Sequence, residues 1–118
     1  MAETIEKKLR LTDLYDCYGR LLTLKQQEIL DQYCMDDLSL AEISENQAIS
    51  RQAVFDTVRK AERQLEEMEA ALGLLARQQR RNRLLTEATA LAQTLTDRIP
   101  GETEALRALQ TLISEAAE

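Results

Sequence analysis

From Ser50 to Leu72 the chain runs 23 residues without a proline or a glycine, and Val54, Val58, Ala61, Leu65, Met68 and Leu72 recur at alternating steps of four and three. Only an α-helix brings positions so spaced onto one side. The pattern therefore predicts one continuous helix, about 34 Å long at 1.5 Å per residue. Such a helix needs other helices to cover its stripe, and the composition supplies them. Ala, Leu, Glu, Lys and Arg make up 64 of the 118 residues, against two valines and four aromatics. Sheet formers are that scarce, so the expected fold is all-α, and all-β and α/β folds are excluded.

The few turn residues divide the rest of the chain. Gly19 follows a stripe of Ile5, Leu9, Leu14, Tyr15 and Tyr18, which predicts a first helix from about Glu3 to Tyr18. Core packing accounts for both tyrosines. Thr23 with Gln26 matches a capping box, in which the hydroxyl satisfies a first-turn amide and the amide side chain reaches back. A second helix is expected from Leu24 to about Cys34, burying Ile29, Leu30 and Tyr33. An acidic loop, Met35-Asp36-Asp37-Leu38, then leads to a second capping box, Ser39 with Glu42. The helix it opens is short, because Ser50 offers another N-cap three residues after Gln47. Gly73 fits a C-cap, although Leu74 and Leu75 continue the apolar face across it. After a basic run, a further helix is expected from Leu84 to about Ile99, ended by Pro100-Gly101. The segment Glu102 to Glu118 places Leu106, Leu109 and Ile113 on one face of a terminal helix.

The same residues narrow the chemistry. There is no histidine, the side chain most used for acid-base work and zinc ligation near neutral pH. Cys17 and Cys34 form no C-x-x-C pair and read as reduced thiols on packed helices. Asp36 and Asp37 lack the further oxygen ligands that calcium or magnesium sites use, so they read as a solvated loop. With no nucleophile–base pair or phosphate loop in view, the expectation is a non-enzymatic protein without cofactor or metal. Met1 to Arg10 mixes charges of both signs without an apolar core, unlike a secretory signal, and no apolar run reaches membrane-spanning length. The expected setting is the cytoplasm.

The most informative unit is Ser39 to Arg63, SLAEISENQAISRQAVFDTVRKAER. A short capped helix, a tight turn and a second helix opening at serine form the arrangement that sets a recognition helix into the major groove. Leu40, Ile43, Ile49, Val54 and Val58 are spaced to make one small core between the two helices. Arg51, Gln52, Phe55, Asp56 and Arg59 are left facing outward. Arg and Gln suit guanine and adenine edges, and a helix N-terminus suits a phosphate. An antiparallel helix pair with a merely solvated outer face has the same spacing. Phe55 fits either contact with a base or protein pocket, or burial under a neighbouring helix.

Three segments, Leu22-Thr23-Leu24-Lys25-Gln26-Gln27-Glu28, the stretch from Asp36 to Ile43, and Ser50 to Asp56, resemble the YlxM-like family of small bacterial helix-turn-helix proteins. The likeness spans about Leu14 to Arg83 and becomes diffuse afterwards. The middle part is also similar to the promoter-binding last region of bacterial sigma factors. The resemblance implies a sigma-like helix-turn-helix bundle with a long recognition helix and a helical tail. It implies a nucleic-acid-facing role for Ser50, Arg51, Gln52, Phe55, Asp56 and Arg59. Genes of this family lie beside those of the signal recognition particle GTPase and its receptor, which implies a regulatory or accessory part in that targeting pathway. One departure stands out: Ala48 occupies the turn position where such motifs usually carry glycine. Either Ala48 takes a costly left-handed conformation, or Asn46 or Gln47 absorbs it instead.

Charge divides along the chain. Residues 1–50 carry net −5, residues 51–83 net +3 and residues 84–118 net −4, which together give the −6 of the whole. A basic segment can bind phosphate although the chain is acidic. Arg77, Arg80, Arg81 and Arg83 fit two uses: tracking an RNA or DNA backbone, or pairing with Glu66, Glu67 and Glu69 of a second chain across a coiled-coil-like seam. The expected organisation is a helix-turn-helix domain over 1–73, with the motif at about 39–60, and a helical tail over 74–118. The stripe from Leu65 through Leu72 to Leu91 has few partners within one chain, so a homodimer is expected to bury it. The expected function is regulation within the signal recognition particle pathway by binding its RNA, DNA or its proteins. The alternative is a transcriptional regulator recognising promoter-like DNA.

Overall fold

The computed structural model describes residues 4–99 and 104–117, and every regular element among them is helical. Helix α1, Ile5–Tyr18, is opened by Thr4, whose hydroxyl accepts the Lys7 amide at 3.2 Å. The predicted start at Glu3 lies outside the described residues. Its buried stripe is Leu11, Leu14, Tyr15 and Tyr18, whereas Ile5 and Leu9 are 80% and 58% exposed. The expected membership of Ile5 and Leu9 in that stripe is thus corrected. At 3.6 residues per turn Leu9 lies roughly 160° from Leu11 around the helix, so one face cannot hold both. A single 3₁₀ turn, Gly19–Leu21, follows, and its glycine leaves room for the Tyr15 ring: a Cβ there would sit 2.7 Å from the ring and force it to shift.

Helix α2, Leu24–Leu30, begins with the full Thr23/Gln26 capping box. The helix does not continue as α to Cys34. From Asp31 to Met35 it widens into a π turn, closed by the Asp36 amide on the Asp31 carbonyl at 3.1 Å. Asp37 ends this segment at φ 54° and forms an ion pair with Lys8, which holds its carboxyl below the usual range. An Asp tolerates the left-handed region better than most residues.

Helix α3, Leu40–Gln47, carries the complete Ser39/Glu42 box, and α4, Arg51–Leu72, is the single long helix that the apolar spacing predicts. The turn between them resolves the alternatives for its left-handed residue. Ala48 itself takes φ 55° and ψ 42°, and neither Asn46 nor Gln47 has positive φ. Ile29, Leu30, Ile43, Val54, Val58, Ala61 and Leu65 meet the α1 stripe in one core, with Leu40, Ile49 and Met68 packed on its edge. Leu65 is wholly buried and Met68 packs on the same core, so neither belongs to an unpartnered stripe as expected; Leu75 joins that core too, whereas Leu72 and Leu74 are exposed.

Gly73, at φ 65°, ends α4 in the left-handed conformation that glycine adopts without a Cβ penalty. Helix α5 then runs from Leu74 to Arg98, a correction to the expected start at Leu84: the arginine run is helical, with no proline or glycine to interrupt it. Its first turn is capped from a distance. Glu69 Oε1 accepts the Leu75 amide at 2.9 Å, and the Tyr18 hydroxyl accepts the Leu74 amide at 3.1 Å.

Compact packing divides the chain into one unit through Leu75 and a second from Ala76. In the second, helix α6, Glu104–Ala117, has Gln110 within 3.5 Å of the Thr96 hydroxyl of α5, and Ala92 is buried. Leu84, Leu91 and Leu95 remain largely exposed. The expected stop at Pro100-Gly101 lies outside the described residues.

Candidate nucleic-acid interface

The site is built on the pair α3 and α4. Ile43, Val54 and Val58 are buried between them, which fixes the angle at which α4 leaves the turn. Because one face of α4 is committed to that core, its first two turns present the residues between the apolar positions. Arg51, Gln52 and Asp56 are exposed, and Phe55 and Arg59 are half-buried.

Each candidate has a defined local role. Ser50 caps the helix, its hydroxyl accepting the Ala53 amide at 3.0 Å, so its side chain is committed to the protein. The Gln52 amide donates to Asp56 Oδ1 at 2.9 Å, one turn along, which holds both in a single orientation. The Arg59 guanidinium lies 5.1 Å from the centre of the Phe55 ring and pairs with Glu62 at 3.1 Å. Phe55 is therefore neither a bare stacking surface nor a buried core residue; its ring is a platform for Arg59. Among the described residues, Arg51 has no carboxylate partner.

Arg77, Arg80, Arg81 and Arg83 are exposed on α5, in the second unit, and they do not belong to the helix-turn-helix unit. Two of the carboxylates considered as their partners in a second chain are engaged within this one. Glu66 receives Arg10 through both oxygens, at 2.9 and 3.3 Å, and Glu69 receives the Tyr18 hydroxyl at 2.6 Å. The Glu66 carboxylate raises the Arg10 pKa above its usual value.

Sequence reasoning misses one group at the site. Lys25, at the start of α2, donates from Nζ to Gln47 Oε1 at 2.7 Å, and Asn46 donates to Gln32 Oε1 at 2.9 Å. Both bonds reach from α2 or its π turn to the strained turn before α4. No local motif announces them, because the partners are 22 and 14 residues apart. Among the described residues, no group of three or more Cys, Asp or Glu side chains is placed to hold a metal, and no helix is long and apolar enough to cross a membrane.

The model of the UPF0122 helix-turn-helix family, YlxM / p13 like, matches residues 5–102. The chain is 46% identical over 81 residues to the UPF0122 protein GK1195 of Geobacillus kaustophilus, covering 69% of this chain and 74% of that one. It is 49% identical over 78 residues to STH1464 of Symbiobacterium thermophilum, covering 66% and 73%. With ABC2295 of Shouchella clausii it shares 46% over 83 residues, covering 70% and 76%. The helix-turn-helix and the long fourth helix both fall inside the matched region, and the chain belongs to the YlxM / p13-like helix-turn-helix family.

Proposed function

We propose that this protein is a non-enzymatic, cytoplasmic regulatory component of the signal recognition particle pathway that binds nucleic acid through the first two turns of α4. The observation that carries the binding is the group of exposed Arg51, Gln52 and Asp56 with the half-buried Phe55–Arg59 pair, at the head of a helix seated on the core. The pathway assignment rests on the family resemblance. The four arginines of α5 supply a second basic element, suited to an RNA backbone. The exposed Leu84, Leu91 and Leu95 favour a homodimer that covers them.

A second reading, a promoter-binding transcriptional regulator, is favoured by the motif itself, since a capped recognition helix seated on a partner helix suits the major groove of a duplex. Mobility shift of the full chain with particle RNA and with promoter-region duplex, each at two salt concentrations, separates the two. Tighter binding to the RNA, weakened by Arg51→Ala and weakened more on removing Arg77, Arg80, Arg81 and Arg83 together, supports the first reading. Tighter, sequence-dependent duplex binding supports the second. Absence of binding to either at physiological salt overturns both and makes the motif a protein-docking module, to be tested by pull-down of the targeting GTPase.

A further inference from the structure

We infer that Lys25 is a backbone-phosphate contact of the helix-turn-helix, held in place by Gln47 as a positioning residue. The inference rests on the nucleic-acid reading and adds to it a contact that lies on another helix.

Three observations carry it. The Lys25 ammonium is fixed 2.7 Å from Gln47 Oε1, and Gln47 directly precedes left-handed Ala48, three residues ahead of Ser50 and the head of α4. The bond ties the cation to the last residue of α3, at the turn that leads into the recognition helix. Its partner is a neutral amide. Among the described residues, Lys8, Arg10 and Arg59 of the same unit are each paired with a carboxylate, Asp37, Glu66 and Glu62, whereas Lys7, Arg20, Lys25, Arg51, Lys60 and Arg63 are paired with none, and of these Lys25 is the one bonded to the residue before the turn into α4. An ammonium with three donors can give one to Gln47 and keep two for phosphate oxygens. Finally, the bond spans from α2 to the turn, so it spreads positive charge beyond the single helix that reads bases. Phosphate contacts of that kind set register and orientation on a duplex or hairpin, while base contacts specify sequence.

A merely structural Lys25 would matter only by bracing the strained turn, and the test separates the two roles. Affinity of the full chain for labelled duplex and for particle RNA is measured from 50 to 200 mM salt for the wild type, Lys25→Gln, Gln47→Ala and Arg51→Ala. Glutamine at position 25 keeps a donor for Gln47 and loses the charge. Lys25→Gln is expected to weaken binding for every sequence tested and to lower the salt slope by about 0.9 on duplex, so that its deficit shrinks roughly threefold across that range. Gln47→Ala keeps the charge and should lose affinity with an unchanged slope. If Arg51→Ala weakens binding and lowers the slope while Lys25→Gln leaves both at wild-type values, Lys25 is only a brace. The inference then fails although the nucleic-acid reading stands. If the wild type binds neither nucleic acid, both fail together.

Discussion

The Tyr15 hydroxyl lies 2.6 Å from Asp31 Oδ1, to which it donates, and 3.1 Å from the carbonyl of Gln27. It joins α1 to α2 at the residue where α2 opens into its π turn, so the widened turn and the tyrosine form one unit. Tyr15→Phe keeps the ring against Gly19 and deletes only the bond. Because Asp31 is exposed and can rehydrate, the expected loss is about 1.5 kcal/mol, read as a lower urea midpoint at neutral pH.

The same hydroxyl sets an alkaline limit. Burial first, and the Asp31 carboxylate second, raise the Tyr15 phenol well above its ordinary value. In the unfolded chain this phenol ionises near pH 10, while in the fold it stays protonated. The unfolded state then binds fewer protons, so stability falls as pH rises above about 10 and is fully present below it. Chemical denaturation at pH 8 and pH 11 should show a larger drop for the wild type than for Tyr15→Phe. Equal drops would remove Tyr15 as the cause.

Ala48 at φ 55° carries a conformational cost that glycine would not. Ala48→Gly is expected to stabilise the protein by about 0.5 kcal/mol, the relief of strain exceeding the added freedom of the unfolded chain. Ala48→Val, β-branched at a positive φ, should destabilise it and loosen the head of α4. Thermal unfolding of both variants checks the order Gly, then Ala, then Val.

Much of this architecture was legible in the residues, and the parts that were not share a cause. The capping boxes at Thr23 and Ser39, the N-cap at Ser50 and the run to Gly73 are local signals, and each stands where the spacing put it. The Lys25–Gln47 bond and the capping of α5 by Tyr18 and Glu69 join residues far apart in the chain, and Asp31, where the π turn opens, is bonded to Tyr15, 16 residues earlier. No periodicity encodes them. Leu65 follows the same rule: its spacing shows that it lies on a stripe, but not that the core of the first unit covers it. At the candidate site, the outward placement of Arg51, Gln52 and Asp56 followed from the pattern, while the pairing of Arg59 with Phe55 and Glu62 did not.

The boundary between core and exposed stripe along the chain can be measured. Leu65→Ala empties a fully buried site and should cost about 2–5 kcal/mol. Leu91 is 66% exposed, so Leu91→Ala should leave stability within about 0.5 kcal/mol under dilute conditions. If the homodimer forms across the α5 stripe, Leu91→Glu will shift sedimentation toward monomer at concentrations where the wild type is dimeric. An unchanged dimer would place the interface elsewhere.

The arginines of the recognition helix should not be equivalent. Arg59 is held by the Glu62 carboxylate above the Phe55 ring, so using it on a phosphate or base means giving up or sharing the carboxylate, while the ring can stay beneath the guanidinium. Its charge is also partly offset by Glu62 at 3.1 Å. Arg51, exposed in the first turn, gives up no carboxylate among the described residues when it binds. If it makes a bidentate base contact, Arg51→Ala should cost about 1–3 kcal/mol of affinity and relax discrimination at one base position. Arg59→Ala should cost less. Glu62→Gln should tighten binding by freeing the charge of Arg59, and Phe55→Ala should weaken it by releasing the guanidinium from its platform. Fluorescence anisotropy at one fixed salt concentration ranks the four variants. Equal losses for Arg51→Ala and Arg59→Ala, with no gain from Glu62→Gln, would show that the ion pair breaks freely on binding and that its geometry in the free protein does not set the strength of the contact.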